Sequence, residues 1–333
     1  MLIPAPALKG KAAFDFNKAV AEARRDYPRA TKNTTFVDLD APDAMEQMIS
    51  WVEKLDEASI EVLYRTRTLM EMTPESDGFT ISSLYGDKKI VATHSKHNPF
   101  LPFFAGEPEK QAAFVFFHEL GHVVVPGADN GTNYSEQGAD VFGVLRGISK
   151  GLFEKKDVKK LADERLVSYL KSLDIQHLST MALDAVVINP KQIDFVSLTP
   201  KQIARIASEH AEAFVNPVDT ERKILEATIG GWSPQEMFHN FADIALKSSG
   251  FTHEFYIAAR MLKPLLDKKI PDTAVASMTG MKPEKWQNVK EAIARKTRKR
   301  DIGAVKAMET PGFAPPPEGL GKRILNALKP LSI

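Results

Sequence analysis

The sequence predicts an α+β protein: a small core with a β-hairpin or mixed sheet, followed by a mainly α-helical C-terminal region. Three observations lead there. Phe79 to Leu84 and Lys89 to Thr93 are rich in β-formers and flank Tyr85-Gly86-Asp87-Lys88, the pattern of a hairpin. Residues 109–125 run without Pro and with a single Gly, Gly121, before Pro126-Gly127, and read as a buried helix. Beyond residue 150 the apolar spacing is almost wholly helical.

The other elements follow in chain order. Residues 12–26 set Phe14, Phe16 and Val20 among charges and predict a helix. Thr35 to Leu39 predicts a short strand, and Ala41 to Leu55 an amphipathic helix that starts near Asp40 or Asp43 and buries Met45, Met48, Ile49 and Val52. Ile60 to Thr66 fits either a strand or a helix, and the alternation of Ile60, Val62, Tyr64 and Thr66 favours the strand. The hairpin and the long helix come next, then a helix beginning at Glu136 with Ser135 as its cap. Further helices are expected over 155–173, 179–187, 200–214, 218–229, 234–247, 252–266 and 283–298. Asn189 to Pro200 reads as a linker that divides the chain into 1–188 and 189–333. Pro311 to Gly321 reads as an extended segment and Lys322 to Leu328 as a short helix.

Composition removes several function classes. With 333 residues the chain can bury a sizeable core, and its formal net charge of +1 gives no global attraction to nucleic acid or membrane, so neither is an expected partner. It has no cysteine, which excludes a disulfide framework and a thiolate nucleophile. No apolar run reaches membrane-span length, and the first residues lack the pattern of a signal peptide. The expected location is cytoplasmic, or exported without a recognisable signal peptide. Arg295 to Arg300 is a basic run closing a helix, and a solvated helix end is its simplest reading.

Chemistry enters at His118-Glu119-Leu120-Gly121-His122, at the end of the apolar helix. Positions i and i+4 share a helix face, so His118 and His122 can hold one metal ion, with Glu119 beside it as a general base. Glu136 and Asp140 are again four apart on the next helix, and the short polar loop between lets that helix fold back. Glu136 then completes a His-His-Glu set with a fourth position left for water. Asp140 can accept a hydrogen bond from the outer nitrogen of one histidine.

With these two motifs on the page, residues 75 to 150 resemble the gluzincin metallopeptidases, whose pattern is H-E-x-x-H followed by E-x-x-x-D on the next helix. The Glu136-Gln-Gly-Ala-Asp140 variant is similar to that of compact members, including minigluzincins and regulator-type peptidases. The spacing between His122 and Glu136 is shorter than in thermolysin-like enzymes and implies a reduced core. The resemblance implies one zinc ion on His118, His122 and Glu136, a peptide or protein substrate, and zinc-dependent peptide-bond hydrolysis by an endopeptidase. It also makes Ile90, Val91, Ala92, Thr93 and His94 the candidate edge strand for pairing with an extended substrate. The alternative is a zincin-shaped regulatory or effector protein that acts on one partner chosen by the helical half, with little general protease activity. His177 and Tyr134 are candidates for holding the oxyanion. His94 and His97 otherwise read as loop residues, and His210, His239 and His253 as structural ones.

Overall fold

The computed structural model describes residues 14–74, 78–96, 104, 107–127, 133–188, 193–214, 218–229, 233–249, 252–266 and 270–298. The chain is α+β with a mainly helical body, as the sequence predicts. Its contacts form two compact units, 1–164 with 194–211, and 165–193 with 212–333. The division between the units falls between residues 164 and 165, inside a helix, and Asp194 to Ala211 belong to the first unit. There Phe195 is buried in a short 3-10 turn, Phe195–Ser197. The tail 311–328 and His97 lie outside the described residues.

The first unit opens with α1 (Phe16–Asp26), whose first turn is capped by Asp15 accepting from Lys18 N at 3.0 Å. Strand β1 (Thr34–Asp38) follows, then α2 (Ala44–Val52), α3 (Glu57–Arg65) and the single turn α4 (Thr68–Glu71). The expected strand over 60–66 is thus a helix. Asp56 caps it, accepting from Ser59 N at 2.9 Å and Ser59 Oγ at 2.8 Å. Ser59 and Leu63, four apart, face inward, while Val62 and Tyr64 of the apparent alternation are exposed. A local cap decided what a short alternating run left ambiguous.

Strands β2 (Phe79–Ser82) and β3 (Lys89–Thr93) form the expected antiparallel hairpin. β3 also pairs in parallel with β1, Thr34 opposite Lys89 and Asp38 opposite Thr93, so the sheet order is β1-β3-β2. This corrects the edge-strand assignment of Ile90 to His94: both backbone sides of β3 are already bonded within the sheet. The uninterrupted burial of Ile90, Val91, Ala92 and Thr93 is what a central strand covered on both faces requires. Val37, Ile81, Ile90 and Ala92 meet Met48, Trp51 and Leu63 of α2 and α3 in one apolar cluster.

Helix α5 (Pro108–Val124) packs on β2 and β3 and sets Phe116 against Phe36 of β1. Pro108 occupies its first turn, where a missing N–H costs nothing. Helix α6 (Asn133–Ser149) lies along α5. It begins before Ser135, so Ser135 sits inside the helix instead of capping it. A Cβ on Gly121 would stand 2.7 Å from Ala139 Cα, and one on Gly143 would stand 3.2 Å from His118 N. Gly121 opposite Ala139 and His118 opposite Gly143 mean that the two helices run antiparallel with their backbones in near contact. Arg146 of α6 is buried, reaches Asp26 and Glu22 of α1, and lies over the Tyr27 ring, which fixes the outer side of α6. Gly121→Val is therefore expected to destabilise the fold by ~1–3 kcal/mol through overpacking against backbone. Chemical denaturation of the two proteins checks this, and an unchanged midpoint would mean the helices are not this close.

Helix α7 (Lys155–Ser172) runs from the first unit into the second, and α8 (Thr180–Ile188) follows in the second. α9 (Pro200–Phe214) starts in the first unit. The second then continues with α10 (Val218–Ile229), α11 (Pro234–Lys247), α12 (His253–Leu262), α13 (Asp272–Thr279) and α14 (Pro283–Arg298). Ser233 and Glu236 form a capping box at α11. A 3-10 turn, Lys263–Leu266, closes the stretch expected as one helix over 252–266. α13 was not expected from the sequence.

Candidate metal centre

The antiparallel packing of α5 and α6 brings three side chains to one point. His118 Nε2 lies 3.2 Å from His122 Nε2 and 3.3 Å from Glu136 Oε2, and His122 Nε2 lies 3.6 Å from Glu136 Oε1. His118 and Glu136 are buried and His122 is nearly so. Among the described residues this is the one group of three or more His, Cys, Asp or Glu side chains placed to hold a metal ion. A tetrahedral cation with ligands at ~2.0–2.1 Å holds them about 3.3–3.4 Å apart, so the donor set fits such an ion.

The outer nitrogens explain why these lone pairs converge. His118 Nδ1–H donates to Asp140 Oδ1 at 2.8 Å, and Asp140 is wholly buried. His122 Nδ1 meets Ser135 Oγ at 3.0 Å, also wholly buried. The Asp140 carboxylate, an acceptor, sets the tautomer of His118, and each bond orients its ring with Nε2 facing the common point. Burial opposes a charge on His118, yet its bonds to Asp140 and Glu136 outweigh this and raise its pKa to about 10. The environment that holds a proton there is one that favours a cation, and metal uptake must displace that proton.

Of the residues the sequence singled out, the structure brings together His118, His122, Glu136 and Asp140. Asp140 serves His118 rather than His122. Ser135 was anticipated as a helix cap; its contact with His122 is the site feature the sequence reading missed. Nothing local signals it, because it depends on the register between two helices. Glu119 is buried beside His118, outside the three-residue group. Its backbone carbonyl accepts from Thr80 Oγ1 of β2 at 2.9 Å, tying the metal helix to the sheet.

The remaining candidates have the following hydrogen-bond partners. The Tyr134 hydroxyl donates to Pro126 O and meets Ser208 Oγ, each at 3.2 Å, so its bonds hold the α5–α6 loop and α9 rather than the cluster. His177 belongs to the second unit, where its Nδ1 meets Asp174 Oδ2 at 2.6 Å. His94 Nδ1 meets Asp40 Oδ1 at 2.9 Å just past the end of β3. His210 Nδ1 meets Ile206 O within its own helix. No protein family, curated protein or solved structure matches the chain.

The two outer-nitrogen partners differ in charge, and this predicts a graded response. Ser135→Ala is expected to weaken metal binding by roughly 10-fold and Asp140→Ala by up to about 100-fold, because removing either leaves a ligand ring unfixed and the second also removes a charge. Competition titration against a chromophoric chelator measures both. Equal affinity in all three proteins would show that neither bond orients a ligand.

Proposed function

We propose that the chain is a zinc metallopeptidase of the gluzincin type that cleaves a restricted protein substrate. The observation that carries this reading is the convergence of His118, His122 and Glu136 on one point with Asp140 behind His118. Three protein ligands leave an open fourth position, the arrangement of catalytic rather than structural zinc. A zinc ion held there would acidify a water and polarise the substrate carbonyl.

The chain's own residues do the rest. Glu119, beside His118 and buried, accepts the proton of the attacking water and passes it to the leaving amine. Asp140 and Ser135 hold the two rings in register. The backbone edge available to an extended peptide on this side of the sheet is that of β2, whose Thr80 is bonded to the metal helix; β3 is enclosed. Among the described residues no helix is long and apolar enough to cross a membrane.

The test is hydrolysis of a mixed peptide library by the zinc-loaded protein, read as newly formed amino termini, beside a Glu119→Gln control. Cleavage by the parent alone supports the reading. No cleavage of peptides, or equal cleavage by both proteins, rejects it.

A further inference from the structure

Tyr134 and Glu136 stand in the first turn of α6, two residues and so about 200° apart around the helix. Ser135 and Glu136 are buried and turn toward the histidines of α5, while Tyr134 points away from the cluster and is half-buried. Its ring passes Gly127, where a Cβ would stand 3.4 Å from Tyr134 Cε1. Its hydroxyl ends between two oxygens, Pro126 O and Ser208 Oγ, each at 3.2 Å. A phenol has a single proton to give, and a proline carbonyl can only accept. Tyr134 therefore donates to Pro126, and the Ser208 hydroxyl donates to Tyr134. One side chain ties the end of α5, four residues past His122, to the start of α6, and Ser208 orients it.

Ser208 is itself held in place. Ile203, Ile206 and Ala207 of α9 are buried at helical spacing. At the start of α9, Gln202 Oε1 accepts from Thr199 N and Thr199 Oγ1 at 2.9 and 2.8 Å. The Tyr27 hydroxyl donates to Pro200 O at 3.2 Å, and the Tyr27 ring packs on Phe142 of α6 with centroids 5.6 Å apart. The 3-10 turn Phe195–Ser197 also packs on α6. All of these residues of the returning chain belong to 194–211, the segment that rejoins the first unit after the chain has left it over 165–193. The segment is joined to α6 directly at 195–197, through Tyr27 at Pro200, and through Tyr134 at Ser208.

We propose that Ser208 is a positioning residue of the metal centre: through Tyr134 it fixes the first turn of α6, and with it Glu136 and Ser135. The first turn of a helix is where the backbone lacks intrahelical partners and frays. Glu136 and the partner of His122 both stand in that turn. A metal ligand has to keep its bonding distance to within about 0.2 Å, so a loosened turn costs affinity before it costs the fold. This role presupposes that His118, His122 and Glu136 bind a metal ion. It touches neither the reacting atoms nor the ion, and it places part of the site's support some 60 residues beyond the motifs that supply the ligands.

The experiment is a zinc competition titration against a chromophoric chelator, on the full-length parent, Ser208→Ala, Ser208→Thr, Tyr134→Phe and the double variant Tyr134→Phe/Ser208→Ala. Circular dichroism of the zinc-free proteins shows that each is folded. Ser208→Ala is expected to bind zinc about 2- to 12-fold more weakly, the range that one net hydrogen bond supplies. Ser208→Thr keeps the hydroxyl and is expected to bind as the parent does, which a residue acting only through its bulk would not require. Tyr134→Phe loses the Pro126 bond as well, so its loss is at least as large. In that background Ser208→Ala is expected to have no further effect, because its partner is already gone. Equal affinity in the parent and Ser208→Ala, a further loss in the double variant, or a Ser208→Thr protein as weak as Ser208→Ala overturns this role and leaves the metal site standing. No zinc bound by the folded parent overturns both.

Discussion

Glu119→Gln is expected to lower peptide hydrolysis by ~10²–10⁴-fold while leaving metal content unchanged, since general-base catalysis contributes about that factor. The split follows from where the side chain stands. Glu119 is buried one residue past His118, yet the group of side chains that can hold an ion is His118, His122 and Glu136. The amide is nearly the same size as the carboxylate, so the buried volume is kept, and the Thr80 bond is to the Glu119 backbone, which the substitution does not touch. What is lost is the ability to take a proton. Parallel assays of metal content and initial rate read the two properties separately. A rate within a few-fold of the parent would remove Glu119 from the chemistry, and a loss of metal would mean that it is a ligand.

The site was legible in the sequence where its geometry is local. Helical spacing puts His118 with His122 and Glu136 with Asp140 on shared faces, and the short loop between the helices leaves few ways to arrange them. The bond from Asp140 to His118 rather than to His122, and the use of Ser135 by His122, depend on how far one helix slides along the other. That register is set by Gly121 against Ala139 and Gly143 against His118, contacts between residues 18 and 25 positions apart that no local pattern reveals.

The fold divides in the same way. The hairpin is readable from its turn, but the parallel pairing of β1 with β3 joins residues 55 apart, so local pattern alone makes β3 an edge when it is the centre. The apolar run Ile90-Val91-Ala92 was the available signal, since a strand with one wet face would alternate. α3 was mistaken for a strand because Ile60, Val62 and Tyr64 satisfy a period of two, while the Asp56 cap that decides the matter lies outside the run. α13 escaped notice because Thr, Val and Ser are indifferent helix formers and its stability comes from Val275 and Thr279 against α11 and α14. The unit boundary falls within α7, where the sequence is continuously helical and gives no punctuation.

If His118, His122 and Glu136 form one metal site, His118→Ala abolishes it. Removing this ring takes away one of three ligands and leaves Asp140, wholly buried, without the nitrogen it now accepts from. The measurement is elemental analysis of the purified parent and variant after equilibration with zinc and removal of excess. The expected result is about one zinc per chain in the parent and essentially none in His118→Ala, with both proteins folded by circular dichroism. A full equivalent retained by the variant, or none bound by the folded parent, would contradict it.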